Sequence, residues 1–581
     1  MSQFSAPAVQ WAALSPVVIV LGAAVVGVLV EAFVPVRVRR TVQVVLALAA
    51  TAGAIVAVGL LWGGVKDHGG TKVLGGALLV DGPTLVLQGT IALLTLLSIL
   101  IVADRTDTGE DAFAPSAASV PGSDYEQLAR RLGLRQTEVY PLVLFATGGM
   151  LIFPAAGDLL TLFVALEVLS LPLYLLTGMA RRRRLLSQEA SMKYFLLGAF
   201  ASALFLFGIV LVYGYAGSLS YAEIASAIQN PSELEALLLV GSVLILAGLL
   251  FKVGAVPFHT WTPDVYQGAP TPISGFMAAC TKVAAFGALL RVVYTLLPDL
   301  QWDLEVFMWV VAIATMVVGT GIALVQTDMK RILAYSSIAH AGFILTGVVS
   351  LDPSGITAVL FYLLVYGAAT VGSFGVVWLV REKAGDEVLG EATHLSQWAG
   401  LGRRHPALAL AFAFFLLSFA GIPLTAGFAG KFGVFAAAVA GGDWPLALIG
   451  VLSSSAAAFF YVRIIVLMFF TGPSGERDVL VGDGGGATTA AYVAPVPVVV
   501  GSDGTVGELA PAGRVAVAER TDEALAVLEG PDAAHGVTTT VVRTEGLALI
   551  AIAVCLAITV ILGVAPSGVV SAISHVAHFL P

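Results

Sequence analysis

Residues 245–272 read ILAGLLFKVGAVPFHTWTPDVYQGAPTP. The opening is apolar except for Lys252, and the helix it implies stops at Gly254 and Pro257. Glycine commonly ends helices and proline cannot continue them. The next stretch, PFHTWTPDVYQGAPTP, is an amphipathic connector. In a lipid-spanning run both features are costly. An ammonium at mid-bilayer costs about 2.5–3.5 kcal/mol on the most lenient insertion scale. Freed backbone groups are tolerated there only inside protein or beside water.

Working outward, the same anomaly recurs. Lys193 lies in EASMKYFLLGAF, Lys282 in FMAACTKVAAFGALL and Lys431 in LTAGFAGKFGVFAAA, while Glu167 lies in LLTLFVALEVLSLPLYLL. Five such groups forgo on the order of 10 kcal/mol unless they pair, hydrate or neutralise. Groups this expensive mark an ion or proton path.

The surrounding chain is that of an integral membrane protein. Of 581 residues, 58% are hydrophobic and 12% charged, against about 25% charged in soluble domains; the mean hydropathy is +0.94. Apolar runs of spanning length recur, so helices rather than barrel strands cross the bilayer. The first residues lack a basic region and lead directly into a span, unlike a cleaved signal. The net charge of -9 says little about partners, because the acidic residues gather in loops. Cys280 and Cys555 stand far apart in predicted helices and supply no disulfide framework, redox pair or metal spacing. No cofactor is expected in this chain.

Fourteen spans are expected, near 12–34, 41–62, 83–103, 139–155, 157–179, 189–216, 235–257, 272–297, 303–325, 328–350, 354–380, 405–440, 444–470 and 544–570. The twelfth is too long for one crossing and is interrupted by Gly421, Pro423 and Gly427. Interruptions at corresponding places are the sign of an inverted repeat. The expected fold class is therefore an all-α polytopic membrane protein with two inverted five-helix repeats and breaks in spans seven and twelve. Its parts are a three-helix segment (1–103), an insert (104–138), repeats at 139–297 and 303–470, a second insert (471–543) and a last span (544–581).

The basic residues orient it. With the N-terminus outside, Arg37, Arg39, Arg40, the run Arg181 to Arg184, Lys330, Arg331, Arg403 and Arg404 all fall in cytoplasmic loops. The other side holds little beyond Lys66 and Lys72, with Arg291 near a helix end. This is the positive-inside asymmetry, with both termini outside. Both inserts are then cytoplasmic. The first carries an amphipathic stretch, YEQLARRLGLRQ. The second, rich in Gly, Ala, Asp and Glu, is either a loosely packed insert or contains a hairpin turning at Ser502-Asp503-Gly504.

The chemistry follows from the buried charges. Burial disfavours a charged ammonium and a nearby carboxylate favours it. Moving one glutamate can therefore switch one lysine, the elementary act of a proton pump. Glu167 and Lys193, on consecutive spans, read as the natural pair. Lys252 borders the first break, Lys282 lies midway along span eight, and Lys431 follows the second break. Together they suggest a polar axis parallel to the bilayer. The plainer readings are that Lys193 snorkels to the interface and that Glu167 is a structural partner of a lysine. His259 and His340 are weaker relay candidates, since a lone histidine is more often a satisfied hydrogen-bonding residue. Arg463, Arg331 and Lys330 read as interface anchors, and Trp261 and Tyr266 as residues holding the connector at headgroup level.

FKVGAVPFHTWTPDVYQGAPTP at 251–272, followed by Thr281-Lys282, resembles the antiporter-like membrane subunits of respiratory complex I, which are related to subunits of multi-component sodium/proton antiporters. WTPDVYQGAP, MKRILAYSSIAHAGF at 329–343 and LSLPLYLLTG after Glu167 resemble the N type in particular. The M type usually carries glutamate where this chain has Lys431, and the lateral helix of the L type is not seen. The resemblance covers roughly 10–470 and the final span; both inserts are unmatched. It implies that Glu167 is the glutamate of a Glu–Lys pair, that Lys193 and Lys252 are its lysine partners, that Lys282 is the central lysine and that Lys431 is the terminal one. It also implies an inner (cytoplasmic) membrane location, neighbours of the M and small K/J types, no nucleic acid, and a peripheral arm whose subunits hold NADH, FMN, iron–sulfur clusters and quinone.

The reading that results is a proton-translocating subunit of NADH:quinone oxidoreductase, itself without a redox site. The alternatives are a subunit of a cation/proton antiporter without electron transfer, and a passive spacer between neighbouring subunits.

Overall fold

The computed structural model describes residues 9–106, 111–114, 123–131, 136–230, 234–297, 300–384, 387–472, 498–500, 506–508 and 537–580. Twelve helices among them are long and apolar enough to cross a membrane. The first seven are Trp11–Phe33, Val36–His68, Gly82–Ala103, Leu159–Thr177, Arg184–Ala216, Glu235–Val253 and Thr271–Leu296. Leu304–Val325, Met329–Val349, Pro353–Leu379, Trp444–Phe470 and Leu547–Val564 complete the twelve. Shorter apolar helices, Val139–Ala155 and the pair Pro406–Ala420 and Ala426–Ala440, fill out the expected series of fourteen, the last two as halves of span twelve. The fold is a polytopic all-α membrane protein.

Local chemistry sets several ends. Asp81, Asp158, Asp328 and Asp352 cap the N-termini of spans three, five, ten and eleven, each side chain accepting a backbone N–H of the first turn. The two breaks share one device. Gly254 (φ 78°) and Gly421 (φ 79°) adopt the left-handed conformation that ends span seven and the first half of span twelve.

Burial is uneven, and the unevenness places the core. Spans eight, ten and eleven have 94%, 100% and 94% of their apolar windows buried, against 33% for span two. Lys282 and His340 therefore lie on the central helices, away from lipid. Span six packs on span seven and span ten on span nine, while span eleven touches both spans twelve and fourteen.

The loops gather at two faces. At one, Arg40 reaches Ala103 O and Glu545, Phe113 bridges to Ala180, Asp328 bridges to His394, and Thr106 bridges to Thr544. A three-stranded antiparallel sheet, with Val380–Ala384 between Glu387–Glu391 and Val537–Val541, ties the end of span eleven to the end of the long insert at this face. At the other, Leu78 pairs with Ala156, Asp158 pairs with Ser220, and Leu580 N–H donates to Asp81. The expected cytoplasmic loops thus share the first face. In the inserts, Asp124–Arg131 is helical, and Val498–Val500 pairs antiparallel with Val506–Glu508. The Ser502-Asp503-Gly504 turn lies outside the described residues.

Gly421 permits an immediate test. A Cβ there would lie 2.9 Å from Lys431 Cδ, on a backbone that L side chains avoid. Gly421→Ala is expected to destabilise the assembled protein by about 1–3 kcal/mol, read as a lower thermal midpoint in detergent. Alanine at Gly217, also left-handed but with open space around it, should show only the backbone part.

Candidate functional site

The site is clearest at the second break. A helix end leaves its last carbonyls without intrahelical partners, and at Gly421 those carbonyls sit inside the protein. Lys431, on the other half of the same span, donates to two of them, Phe419 O at 2.8 Å and Ala420 O at 3.1 Å. Its third partner is Ser454 Oγ of span thirteen at 2.6 Å, and the ammonium lies 4.7 Å from the Phe343 ring centroid. Lysine here completes the break as well as carrying charge.

Lys282 is held by the neighbouring span. Its Nζ donates to Ser337 O at 2.5 Å and lies 5.8 Å from the Tyr366 ring. One turn beyond Ser337, His340 is bonded at both ring nitrogens: Nδ1 with Tyr362 Oη at 2.8 Å and Nε2 with Tyr461 Oη at 3.2 Å. Tyr461 also pairs with Ser336 Oγ at 2.5 Å. His340 lies within electrostatic reach of both Lys282 and Lys431. The structure brings these three candidates into one buried cluster; two tyrosines that complete it escaped the sequence reading.

Lys252 is held differently. Among the described residues its one hydrogen bond is long, to Tyr194 Oη at 3.4 Å, and its ammonium faces the rings of Tyr194 and Tyr174 at 5.0 and 5.4 Å. Glu167 acts on it by charge but lies beyond ion-pair distance, and the buried Glu167 Oε1 has no hydrogen-bond partner among the described residues.

The expected Glu167–Lys193 pair is not formed. Lys193 has a 44% exposed side chain and pairs with Glu189 at 2.7 Å and with Asp264 of the connector at 2.8 Å. The reason is position on the helix: span six begins at Arg184, so Lys193 is under three turns from its end. Its flexible stem reaches the loop face. The carboxylate–lysine relation falls instead between Glu167 and Lys252.

Three further expectations are corrected. Trp261 and Tyr266 are 3% and 2% exposed, covered by protein rather than facing headgroups. Trp261 stacks on Tyr194 with centroids 4.7 Å apart and donates to Phe251 O at 3.0 Å, because the connector folds back into the protein. Lys330 is buried, donating to Ala269 O at 2.8 Å with Glu391 at 3.6 Å, rather than anchoring in the interface. Arg331 binds Asp264 at 2.8 Å. Arg463 donates to Leu324 O at an exposed surface. His259 sits in the turn before Trp261; among the described residues its buried Nδ1 has no hydrogen-bond partner and no bond joins it to the lysines. Sequence reasoning also missed the buried Arg291–Asp81 pair (2.8 Å), whose partners are 210 residues apart. Among the described residues no cluster of His, Cys, Asp or Glu is placed to hold a metal ion.

Residues 156–456 match the family described as NADH:quinone oxidoreductase/Mrp antiporter, TM. The NADH-quinone oxidoreductase subunit N of Beutenbergia cavernae is 65% identical over 459 residues, 78% of this chain and 86% of that protein. A chain of respiratory complex I from Thermus thermophilus superposes with a TM-score of 0.69 at 29% identity, covering 97% of this chain and 100% of that one. A chain of the Mrp complex from Dietzia sp. DQ12-45-1b gives a TM-score of 0.70 over 97% of each chain. At 22% identity it speaks for the fold alone. The resemblance carried by residues 251–272 and 329–343 is borne out.

The Asp264 cluster has a definite pH signature. Burial pushes its carboxyl up, but hydrogen bonds from Lys193 and Arg331 outweigh burial and hold it below its ordinary value of 3.8. A depressed carboxyl contributes stability that is complete above the unfolded value and is lost as pH falls through the folded one. Asp264→Asn should therefore lower thermal stability equally across pH 6–8. Its deficit should shrink only below about pH 4, as measured by thermal unfolding in detergent.

Proposed function

We propose a function from one premise: this chain belongs to the family of NADH:quinone oxidoreductase and Mrp antiporter membrane subunits, among the subunit N proteins. It is an antiporter-like, proton-translocating membrane subunit of an NADH:quinone oxidoreductase, and the redox chemistry takes place in other subunits. In the finer reading, it sits in a bacterial cytoplasmic membrane with its basic loop face toward the cytoplasm and both ends of the chain on the other side. Its neighbours are antiporter-like M and small K/J-type subunits. A peripheral arm carries NADH, FMN and iron–sulfur clusters and reduces quinone. The segments 139–297 and 303–470 are the two inverted halves.

One observation carries the mechanism: Lys282, His340 and Lys431 are all buried, His340 between two tyrosine hydroxyls and within electrostatic reach of both lysines, while Glu167 acts on the equally buried Lys252. Protons reach the first break from the basic face, where the buried backbone can hold water. Glu167 sets the charge state of Lys252 according to its distance. The proton passes toward Lys282, whose carbonyl partner Ser337 lies one turn from His340. His340 can take a proton at one ring nitrogen and give it up at the other, because both nitrogens already meet a tyrosine hydroxyl. Lys431 delivers it at the second break. Like charges on Lys282 and Lys431 oppose each other across His340, so loading one favours unloading the next.

The alternative is an antiporter subunit with no electron transfer attached. The fold is compatible with it, whereas the relative at 65% identity bears the oxidoreductase name. Purification of the native assembly separates them: flavin and iron–sulfur absorption should co-purify with this chain, and an assembly of membrane subunits alone would favour the antiporter.

The lysines should also rank. In sealed vesicles, Lys252→Ala is expected to lower NADH-driven proton pumping at least tenfold while the complex still assembles. Lys193→Ala, at the surface, should retain half or more of it. Equal losses would return Lys193 to the path.

A further inference from the structure

Lys282 and Lys431 each donate to backbone carbonyls, which fixes their ammonium groups. Lys252 is buried to the same degree, 3% exposed, yet has no carbonyl partner among the described residues. Its surroundings are aromatic. Tyr194 of span six and Tyr174 of span five meet edge to face with centroids 4.7 Å apart, and the ammonium lies near both faces. Behind Tyr194 the Trp261 indole stacks at 4.7 Å with an interplanar angle of 12°, so the ring has no room to turn away. Span six makes space for the arrangement at Gly198, where a Cβ would collide with Tyr174 Oη. The negative face of an aromatic ring attracts a cation, most strongly where water is excluded.

We infer that Tyr194, held by Trp261 and completed by Tyr174, is a positioning residue that holds the Lys252 ammonium through its ring face. Tyr194 does not exchange the proton. It supplies a weak, non-ionic hold where a carbonyl or carboxylate would grip harder. Lys252 is thereby kept loaded near Glu167 yet free to leave. Edge-to-face contacts continue from Trp261 to Tyr266 (6.2 Å) and on to Phe374 of span eleven (6.1 Å). Trp261 and Asp264 share one turn of the connector helix, so the connector that meets Lys193 and Arg331 at the loop face also sets this ring. The inference rests on the proton-translocation reading above.

The test varies the ring face at constant shape. Position 194 is replaced in the intact complex by phenylalanine and by phenylalanine analogues carrying one, two and three ring fluorines, which progressively weaken the negative face. Proton pumping per NADH oxidised is measured in sealed vesicles, with Lys252→Met as reference. Tyr194→Phe should retain most pumping, because the ring persists and only a 3.4 Å hydrogen bond is lost. The fluorinated series should fall stepwise, by roughly threefold or more at three fluorines. A flat series with Lys252→Met inactive would overturn the role of Tyr194 and leave the lysine path standing. A fully pumping Lys252→Met would instead remove the path itself, and this inference with it. Tyr194→Leu serves as a packing control: a loss there alongside a flat fluorine series means that the ring merely fills space.

Discussion

A backbone carbonyl inside hydrocarbon must find a donor, and span twelve presents two that the helix itself has abandoned. Lys431 is that donor. The pairing explains why a left-handed glycine, a proline and a lysine can stand between positions 421 and 431 of an otherwise apolar run. Without the break the ammonium would lose two of its three acceptors; without the ammonium Ala420 O would keep only a long contact from Ser454 Oγ at 3.4 Å. The rest of the site leans on this arrangement. Ser454 and Phe343 close around the charge, and its field reaches His340, which the charge of Lys282 reaches too.

The first break solves the same problem with a neutral donor. The Phe251 carbonyl accepts both the Gly254 N–H and Trp261 Nε1, and Lys252 is left to the rings of Tyr174 and Tyr194 and to the distant charge of Glu167. The two ends of the axis therefore hold their lysines with different strength. A group gripped by three oxygens is a good terminal station, and one resting on aromatic faces is easily switched. The asymmetry suits a path along which charge must be loaded at one end and released at the other.

Much of this was legible in the sequence, and the reason is physical. Spans, breaks and intramembrane charges are properties of single segments: apolar length, Gly and Pro punctuation, and a lysine flanked by apolar residues on both sides identify Lys282 and Lys431 without a neighbour being known. What failed concerned partners. Glu167 and Lys193 are adjacent in span order, but the way a side chain leans depends on where its helix begins. Trp261 and Tyr266 read as interfacial because an amphipathic connector ordinarily lies along the surface, whereas this one folds inward onto span six. Asp264, Tyr362 and Tyr461 become functional candidates only when helices far apart in sequence meet. The Arg291–Asp81 pair carried no local signal, each partner lying near a helix end in its own stretch.

The central claim is that the buried lysines carry protons rather than merely hold helices together, and Lys282 tests it most directly because it belongs to neither break. The measurement is the ratio of protons moved to NADH oxidised in sealed vesicles for wild type and Lys282→Ala, with assembly checked on native gels. The account predicts an assembled complex whose proton yield and coupled turnover fall sharply. An assembled complex with wild-type yield and turnover would contradict it and make the charge structural.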